Sequence, residues 1–319
     1  MEDTKLISSV INVSTAWGGV KEKPKLVKNR ENIVLDITLN SGRRAAFRFH
    51  RPGYQSSQAI ISELMWMEAL RKQKFPCPSP IRTLNQDLII ETKGQRTASI
   101  IEWVGASELK ERIFTSNEKE IISIFKNLGK ITAELHNITD EINTNSFIRP
   151  RWDEDEFFGD NPAWGKYWRN PSLSKEESEL IYKVKNESKL LLRKIHNGDK
   201  GLIHADLLEE NILVGNQKLW VIDFDDCGFG FREYDLATLL IQHLNNRYFN
   251  LAKLALIESY NKFRKNFQTH IDAINFFMMV RSLVSCGWGN SRFPLESSVH
   301  REQAERALAC LELFNRSDA

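Results

Sequence analysis

The chain has 319 residues, with 41% apolar and 27% charged side chains, the balance of a soluble globular protein with room for one large domain or two modest ones. Basic and acidic residues nearly cancel, 44 against 42, for a net charge of +2, which speaks against a nucleic-acid partner because such a coat carries a strong basic excess. The four cysteines (Cys77, Cys227, Cys286, Cys310) form no CxxC pair, "MEDTKLISSV" lacks the apolar centre of a secretory signal, and no apolar run approaches the ~18 residues of a membrane span, so the expectation is a cytoplasmic protein without membrane contact.

Along the chain, "NIVLDITL" alternates apolar and polar residues, "NSG" supplies a turn and "RRAAFRFH" follows, which predicts a β-hairpin. "QAIISELMWMEALRK", Gln58 to Lys72, has helical periodicity with Ser56 or Ser57 as its N-cap. "FPCPSPI" ends that helix, because proline cannot continue it. "DLIIETK" and "RTASIIEWV" predict a second strand pair. Beyond Gly105 the character turns helical: an amphipathic helix from about Ser116 to His136, a polar and aromatic-rich stretch, a helix from about Lys175 to His196, and mostly helix after Asp226. A strand-rich first part with one helix and a helical second part predict two lobes joined near Glu102–Gly105.

The chemistry concentrates in "GLIHADLLEENILVGNQKLWVIDFDD", Gly201 to Asp226. "NILV" reads as a strand, "GNQ" at 215–217 as a turn and "KLWVIDF" as the returning strand. An antiparallel hairpin sets the start of one strand beside the end of the other. Asn211 and Asp223 then become neighbouring oxygen donors of the kind that hold Mg²⁺. Asp206 lies on the loop entering the hairpin, placed to accept or orient a hydroxyl proton.

H-x-D-x-x-x-x-N followed by I-D-F-D is related to the kinase catalytic-loop and metal-loop signatures. On "HADLLEEN", "VIDFDD" and "YDLATL", the chain resembles the aminoglycoside phosphotransferase and choline kinase-like family, which shares the protein-kinase fold; the resemblance covers nearly the whole chain. It implies an α+β, two-lobed fold. Residues 1–103 form a small antiparallel-sheet N-lobe with one helix, which binds the nucleotide phosphates. Residues 104–319 form a larger, mostly helical C-lobe with the catalytic and metal loops and the substrate site, 137–198 being an inserted cap or helical segment.

The same resemblance implies ATP as co-substrate with Mg²⁺, bound between the lobes, and transfer of the γ-phosphate to a hydroxyl of a small molecule such as an amino alcohol, amino acid, sugar or antibiotic. Asp206 becomes the catalytic base, Asn211 and Asp223 the metal ligands, and His204 a packing residue of the catalytic loop. Asp235 holds that loop by accepting backbone N–H bonds, and Asp225 is an auxiliary group. Ala46-x-Arg48 occupies the place of the kinase A-x-K, with arginine where lysine is usual; Arg48 is expected to pair with Glu63, or alternatively with Glu68. No G-x-G-x-x-G loop is present, and "KNRENIVL" stands in its place, so Arg30, Glu31 and Asn32 are candidates to approach the nucleotide. Glu102–Val104 corresponds to the hinge that meets adenine.

Two other readings stay open: a protein Ser/Thr kinase of the same fold, disfavoured because Asp235 follows Asp223 by only twelve positions, and a catalytically silent nucleotide-binding module. The acidic run Asp153–Glu156 with Trp152, Trp164 and Trp168 reads first as a solvated turn with packed aromatics, and second as a cationic-substrate box. Trp288 reads first as core and second as a residue of the substrate mouth. Oligomeric state stays open.

Overall fold

The structure, a computed structural model, describes residues 2–29, 32–92, 96–195, 198–215, 218–290 and 292–317. Arg30, Glu31, His196 and most of the expected 215–217 turn lie outside the described residues. The chain groups into two units: Met1–Ser107 with Ile142–Arg149 and Leu213–Asp225, and Glu108–Glu141 with Pro150–Ile212 and Asp226–Ala319. This differs from a single cut at 103/104, because two later segments dock onto the first unit. Ile148 donates its N–H to Ser62 Oγ at 2.9 Å, Val221 donates to Pro76 O at 2.9 Å, and Phe224 sets its ring edge-on to Trp66 at 5.2 Å.

The first unit is built on strands β1 (Lys25–Asn29), β2 (Ile33–Thr38), β3 (Arg44–Phe49), β4 (Ile90–Glu91) and β5 (Thr97–Glu102), hydrogen-bonded in the order β1-β2-β3-β5-β4. All neighbours are antiparallel. The expected hairpin is β2–β3, with Ile33 opposite Phe49 and Thr38 opposite Arg44. Its turn carries Gly42 at φ +85°, a backbone state that suits glycine. β2 alternates between buried and half-buried residues, as a strand with one face on the core does.

β3 does not alternate. Every residue after Arg44 is buried, because both faces of the strand are covered. Phe47 and Phe49 pack with Leu35, Ile37 and Ile100 against a helix, α1 (Glu2–Ser14), through Leu6, Val10 and Val13. These three recur at i, i+4 and i+7, a stripe interrupted by enough polar residues that the sequence reading placed no helix there. The opposite face, with Arg48, meets the helix α2 (Ser57–Lys72), which starts where Ser56 Oγ accepts the Ala59 N–H at 3.2 Å.

The second unit is mainly helical: Glu118–Asp140, Lys175–Ile195, Arg232–Leu240, Phe249–Phe263, Ile271–Asn290 and Ser298–Ser317 are its longer helices. The first of them opens on a capping box between Asn117 and Glu120. At Gly129 it runs so close to Phe249–Phe263 that a Cβ would stand 2.3 Å from the Leu256 carbonyl. A small sheet of Arg151–Trp152, Gly228–Phe231 and Lys200–Ile203 leads into the segment from His204 to Asn211 and the helix Arg232–Leu240. No helix among the described residues is long and apolar enough to cross a membrane.

Candidate active site

The loop after Lys200–Ile203 carries His204, Ala205 and Asp206. Its backbone is pinned by Asp235, on the first turns of the helix Arg232–Leu240. Asp235 Oδ2 accepts the His204 N–H at 2.9 Å and Oδ1 accepts the Ala205 N–H at 2.7 Å. Ala205 sits at φ +66°, a left-handed conformation that a residue with a Cβ holds only when its surroundings fix it. Asp235 is fully buried, and burial pushes its carboxyl up to about 6 despite those two bonds. His136, held well below its ordinary pKa by burial and by Arg232 and Arg264, is neutral. Its Nε2 lies 3.1 Å from Asp235 Oδ2 and its Nδ1 lies 2.8 Å from the Tyr260 hydroxyl.

His204 is itself fully buried and its Nδ1 accepts the Asp206 N–H at 3.3 Å. Both carboxylate oxygens of Asp206 are bonded. Oδ2 accepts from Asn211 Nδ2 at 2.9 Å, and the same nitrogen reaches the Asp206 carbonyl at 2.9 Å. These two bonds orient the Asn211 amide, so its oxygen remains as a hard donor. Oδ1 accepts from Arg281 Nη2 at 2.8 Å. The buried Arg281 side chain stacks on Trp164, 4.8 Å from the ring centroid, and donates to Ser285 Oγ. Arg281 was not among the sequence candidates, although it is the one charged residue from Ala273 to Asn290 in an otherwise apolar helix. That isolation was the available signal, since a lone charge in such a run is buried only with a partner.

In the first unit, Arg48 Nη1 donates to Glu63 Oε1 at 2.7 Å, and both side chains are buried. Glu68, the other candidate partner, forks instead onto Arg82 at 2.8 and 2.6 Å. Arg48 Nη2 lies 3.6 Å from Asp225 Oδ1 and has no hydrogen bond among the described residues. Burial opposes the arginine's charge, but Glu63, Asp225 and Asp223 outweigh it and raise its pKa. His50 lies 3.9 Å from Asp225 Oδ1, and burial, Arg48 and Arg149 hold it well below the usual histidine range. Asp223 stands at φ +62° with a half-exposed carboxylate 3.8 Å from Lys28 Nζ.

The remaining nucleotide candidates are partly committed. Asn32 Oδ1 accepts the Arg51 N–H at 3.0 Å, Glu102 donates its backbone N–H to Ser79 O at 2.8 Å, and the Val104 carbonyl accepts from Ala106 N at 3.2 Å. The acidic run is internally used: Asp153 caps the short helix Glu154–Phe158, Glu154 meets Arg193 at 3.3 Å and Asp155 meets Lys189 at 3.7 Å. The tryptophans are occupied too. Trp164 carries Arg281, Trp168 carries the Lys185 ammonium at 4.9 Å, and Trp152 is buried against Tyr234 with its Nε1–H on the Asp226 carbonyl. Trp288 packs on Phe293 at 5.5 Å and under Arg292.

Comparison with known proteins places the chain by family and fold. Residues 26–265 match the model of the phosphotransferase enzyme family. Amicoumacin kinase of Bacillus subtilis (strain 168) is 22% identical over 70% of this chain and 64% of its own length. Homoserine kinase of Bartonella henselae is 26% identical over 65% of this chain and 62% of its own. The chain thus spans less than two thirds of the length of these curated relatives. Among solved structures, a microcompartment-associated aminopropanol kinase superposes with a TM-score of 0.82 at 23% identity, over 97% of both chains. An amicoumacin kinase in complex with AMP-PNP, Ca²⁺ and Ami superposes with 0.75 at 19% identity, over 99% of this chain and 93% of the other. At these identities the superpositions establish the shared α+β kinase-like fold.

Proposed function

Because the chain belongs to the phosphotransferase enzyme family, we propose that it transfers the γ-phosphate of ATP to a hydroxyl of a small molecule. The observation that carries this reading is the Asp206 carboxylate, bonded on one oxygen to Arg281 and on the other to Asn211, on a loop pinned by Asp235. Held in that way, Asp206 orients the acceptor hydroxyl and takes its proton as the oxygen bonds to phosphorus.

The residue types suit Mg²⁺: the Asn211 amide oxygen in the second unit and the Asp223 carboxylate in the first are each a hard oxygen ligand of the kind that would hold the ion. Bound there, it would neutralise phosphate charge. Arg48 fits the phosphates, since its buried Nη2 is a donor with no hydrogen bond. Asn32 and the backbone of Glu102 and Val104 belong to the same proposal for the nucleotide. Arg30 belongs to it from sequence alone.

The acceptor class narrows from the tryptophans. Trp164 and Trp168 already hold protein cations, which speaks against a quaternary ammonium boxed by these rings. The names of similar proteins, an aminopropanol kinase and a homoserine kinase, favour a primary-amine amino alcohol or a hydroxy amino acid. Four buried cysteines that form no disulfide suit a reducing cytoplasm, and the near-zero net charge suits a partner that is not nucleic acid.

The test is γ-phosphate consumption by the purified protein across aminopropanol, homoserine, choline, sugars and an aminoglycoside, with Asp206→Ala alongside. Turnover should depend on an amino alcohol or hydroxy amino acid. The variant should be slower by about 10²–10⁴-fold while still binding ADP. Turnover with none of the acceptors, or undiminished turnover in the variant, overturns the reading.

A further inference from the structure

We propose that Arg149 is a positioning residue that keeps the second guanidinium nitrogen of Arg48 available for the nucleotide phosphates; this rests on the reading of Arg48 as the phosphate-binding cation. Arg149 ends the segment Ile142–Arg149, which groups with the first unit. Its buried guanidinium donates through Nη1 to the Ala59 carbonyl on α2 at 3.0 Å and through Nη2 to the Asp225 carbonyl. Nη1 also lies 3.9 Å from Glu63 Oε2. Arg48 approaches the same carboxylate from the other side, at Oε1.

The cluster therefore holds two guanidiniums, Arg48 and Arg149, and two carboxylates, Glu63 and Asp225, all nearly inaccessible to water. His50 adds no charge, because burial and the two arginines keep it neutral. Its Nε2 is engaged with Ser99 Oγ at 2.8 Å. Two guanidiniums face two carboxylates here, with Asp223 adding its charge to those acting on Arg48, and among the described residues Arg48 Nη2 has no hydrogen bond. His50, Glu63 and Asp225 have the mutual spacing of a metal site, with ligand atoms within 4.8 Å of one another. Two guanidiniums already compensate those two carboxylates, so a further cation would find no net attraction there.

Removing Arg149 changes this arithmetic. Two buried carboxylates would then share one guanidinium. A fork is the arrangement that an arginine and a carboxylate prefer when nothing else competes. Arg48 would close onto Glu63 and Asp225 with both terminal nitrogens, and Nη2 would be withdrawn from any ligand. Arg149 acts on the phosphates only through this division of charge, so its positive charge matters more than its fork.

Calorimetric titration of ADP and of adenosine, in EDTA so that no metal contributes, tests the idea. In the wild type, ADP should bind about tenfold or more tighter than adenosine, the increment expected of charge-assisted bonds. Arg149→Met should lose most of that ratio while adenosine affinity stays within about twofold. Arg149→Lys should recover most of it. The double variant Arg149→Met/Glu63→Gln, with one carboxylate neutralised, should also recover it, which a merely structural role of Arg149 does not predict. If Arg149→Met does not fold, the lysine and charge-balanced variants carry the test, and loss of the ratio in both overturns the proposal. A parallel fall in ADP and adenosine affinity overturns it as well. An unchanged ratio in Arg149→Met, with loss in Arg48→Met, overturns the role of Arg149 and leaves that of Arg48 standing. A wild type without any ADP preference removes the Arg48 reading and this inference together.

Discussion

In the second unit both oxygens of Asp206 are bonded, whereas in the first unit Arg48, His50 and Glu63 each keep a buried nitrogen or oxygen without a hydrogen bond. The two clusters have similar ingredients: arginine, carboxylate and a buried histidine on a neighbouring strand or loop. Their hydrogen bonding differs at the carboxylate: both Asp206 oxygens are bonded while Glu63 Oε2 is not, although Arg281 Nε in the second cluster is also left without a hydrogen bond. A group with every oxygen bonded is fixed before substrate arrives, which suits a base whose contribution is alignment. Buried polar atoms left unbonded cost about 1–3 kcal/mol each, a cost that a phosphate bound at Arg48 would relieve in part. On the proposed function, the contrast separates a preorganised base from a phosphate-receiving group, and it can be attacked from either side.

The largest effect is expected from the base itself, the Asp206→Ala comparison described above. Next comes the support of its loop. Asp235→Asn replaces one carboxylate oxygen with an amide nitrogen, so one of the His204 and Ala205 N–H groups must face a donor. That leaves a buried donor unsatisfied and releases the left-handed Ala205. The cost should be about 1–3 kcal/mol, read as a lower denaturation midpoint, and kcat should fall with it. If denaturation and kcat are both unchanged, Asp235 does not hold the loop and the second cluster is less preorganised than the hydrogen bonds imply.

A smaller effect separates orientation from charge. Arg281→Lys keeps a cation near Asp206 but loses the fork that reaches both Asp206 and Ser285. The expected result is about a tenfold lower kcat with the KM for ATP unchanged, because misplacement of a catalytic group acts on the chemical step. A rise in the KM for ATP with kcat unchanged would make Arg281 part of the nucleotide site instead.

This comparison also explains what could be read from the sequence. "HADLLEEN" and "VIDFDD" are legible because their spacing is local: Asn211 follows Asp206 by five residues, and the loop closes the 2.9 Å bond between them. The Arg48–Glu63 pair is legible because a strand and the next helix are joined by a short connection. Arg281 and Arg149 reach their carboxylates across 75 and 86 residues of chain, and no local period encodes such a meeting. The helix α1 was missed for another reason. Its apolar stripe is narrow, and only the Phe47–Phe49 face of the sheet makes it a core element. The cationic box loses weight as a substrate feature because its rings already carry protein cations, Arg281 from a helix remote in sequence and Lys185 from the helix that follows Trp168.

The smallest effect tests rigidity beside the catalytic loop through pH. His243 is buried, its ring edge-on to Phe125 at 5.2 Å, and burial pushes its pKa down to about 4. The unfolded chain takes up the proton at the ordinary value near 6.5, and the folded chain resists it. Stability is therefore fully present above about pH 6.5 and falls as pH drops toward 4, with a limiting slope of roughly 1.4 kcal/mol per pH unit from this one residue. Glu209, 3.9 Å away, works in the opposite sense: burial raises its pKa, so it favours the folded state as pH falls toward its own titration. His136 and His50 share the sign of His243 and remain in any His243 variant. His243→Gln should accordingly reduce, without abolishing, the loss of stability between pH 6.5 and 5 in chemical denaturation. If the variant and the wild type lose stability in parallel over that interval, His243 is protonated in the folded state, and the packing that borders Glu209 and the catalytic loop admits water.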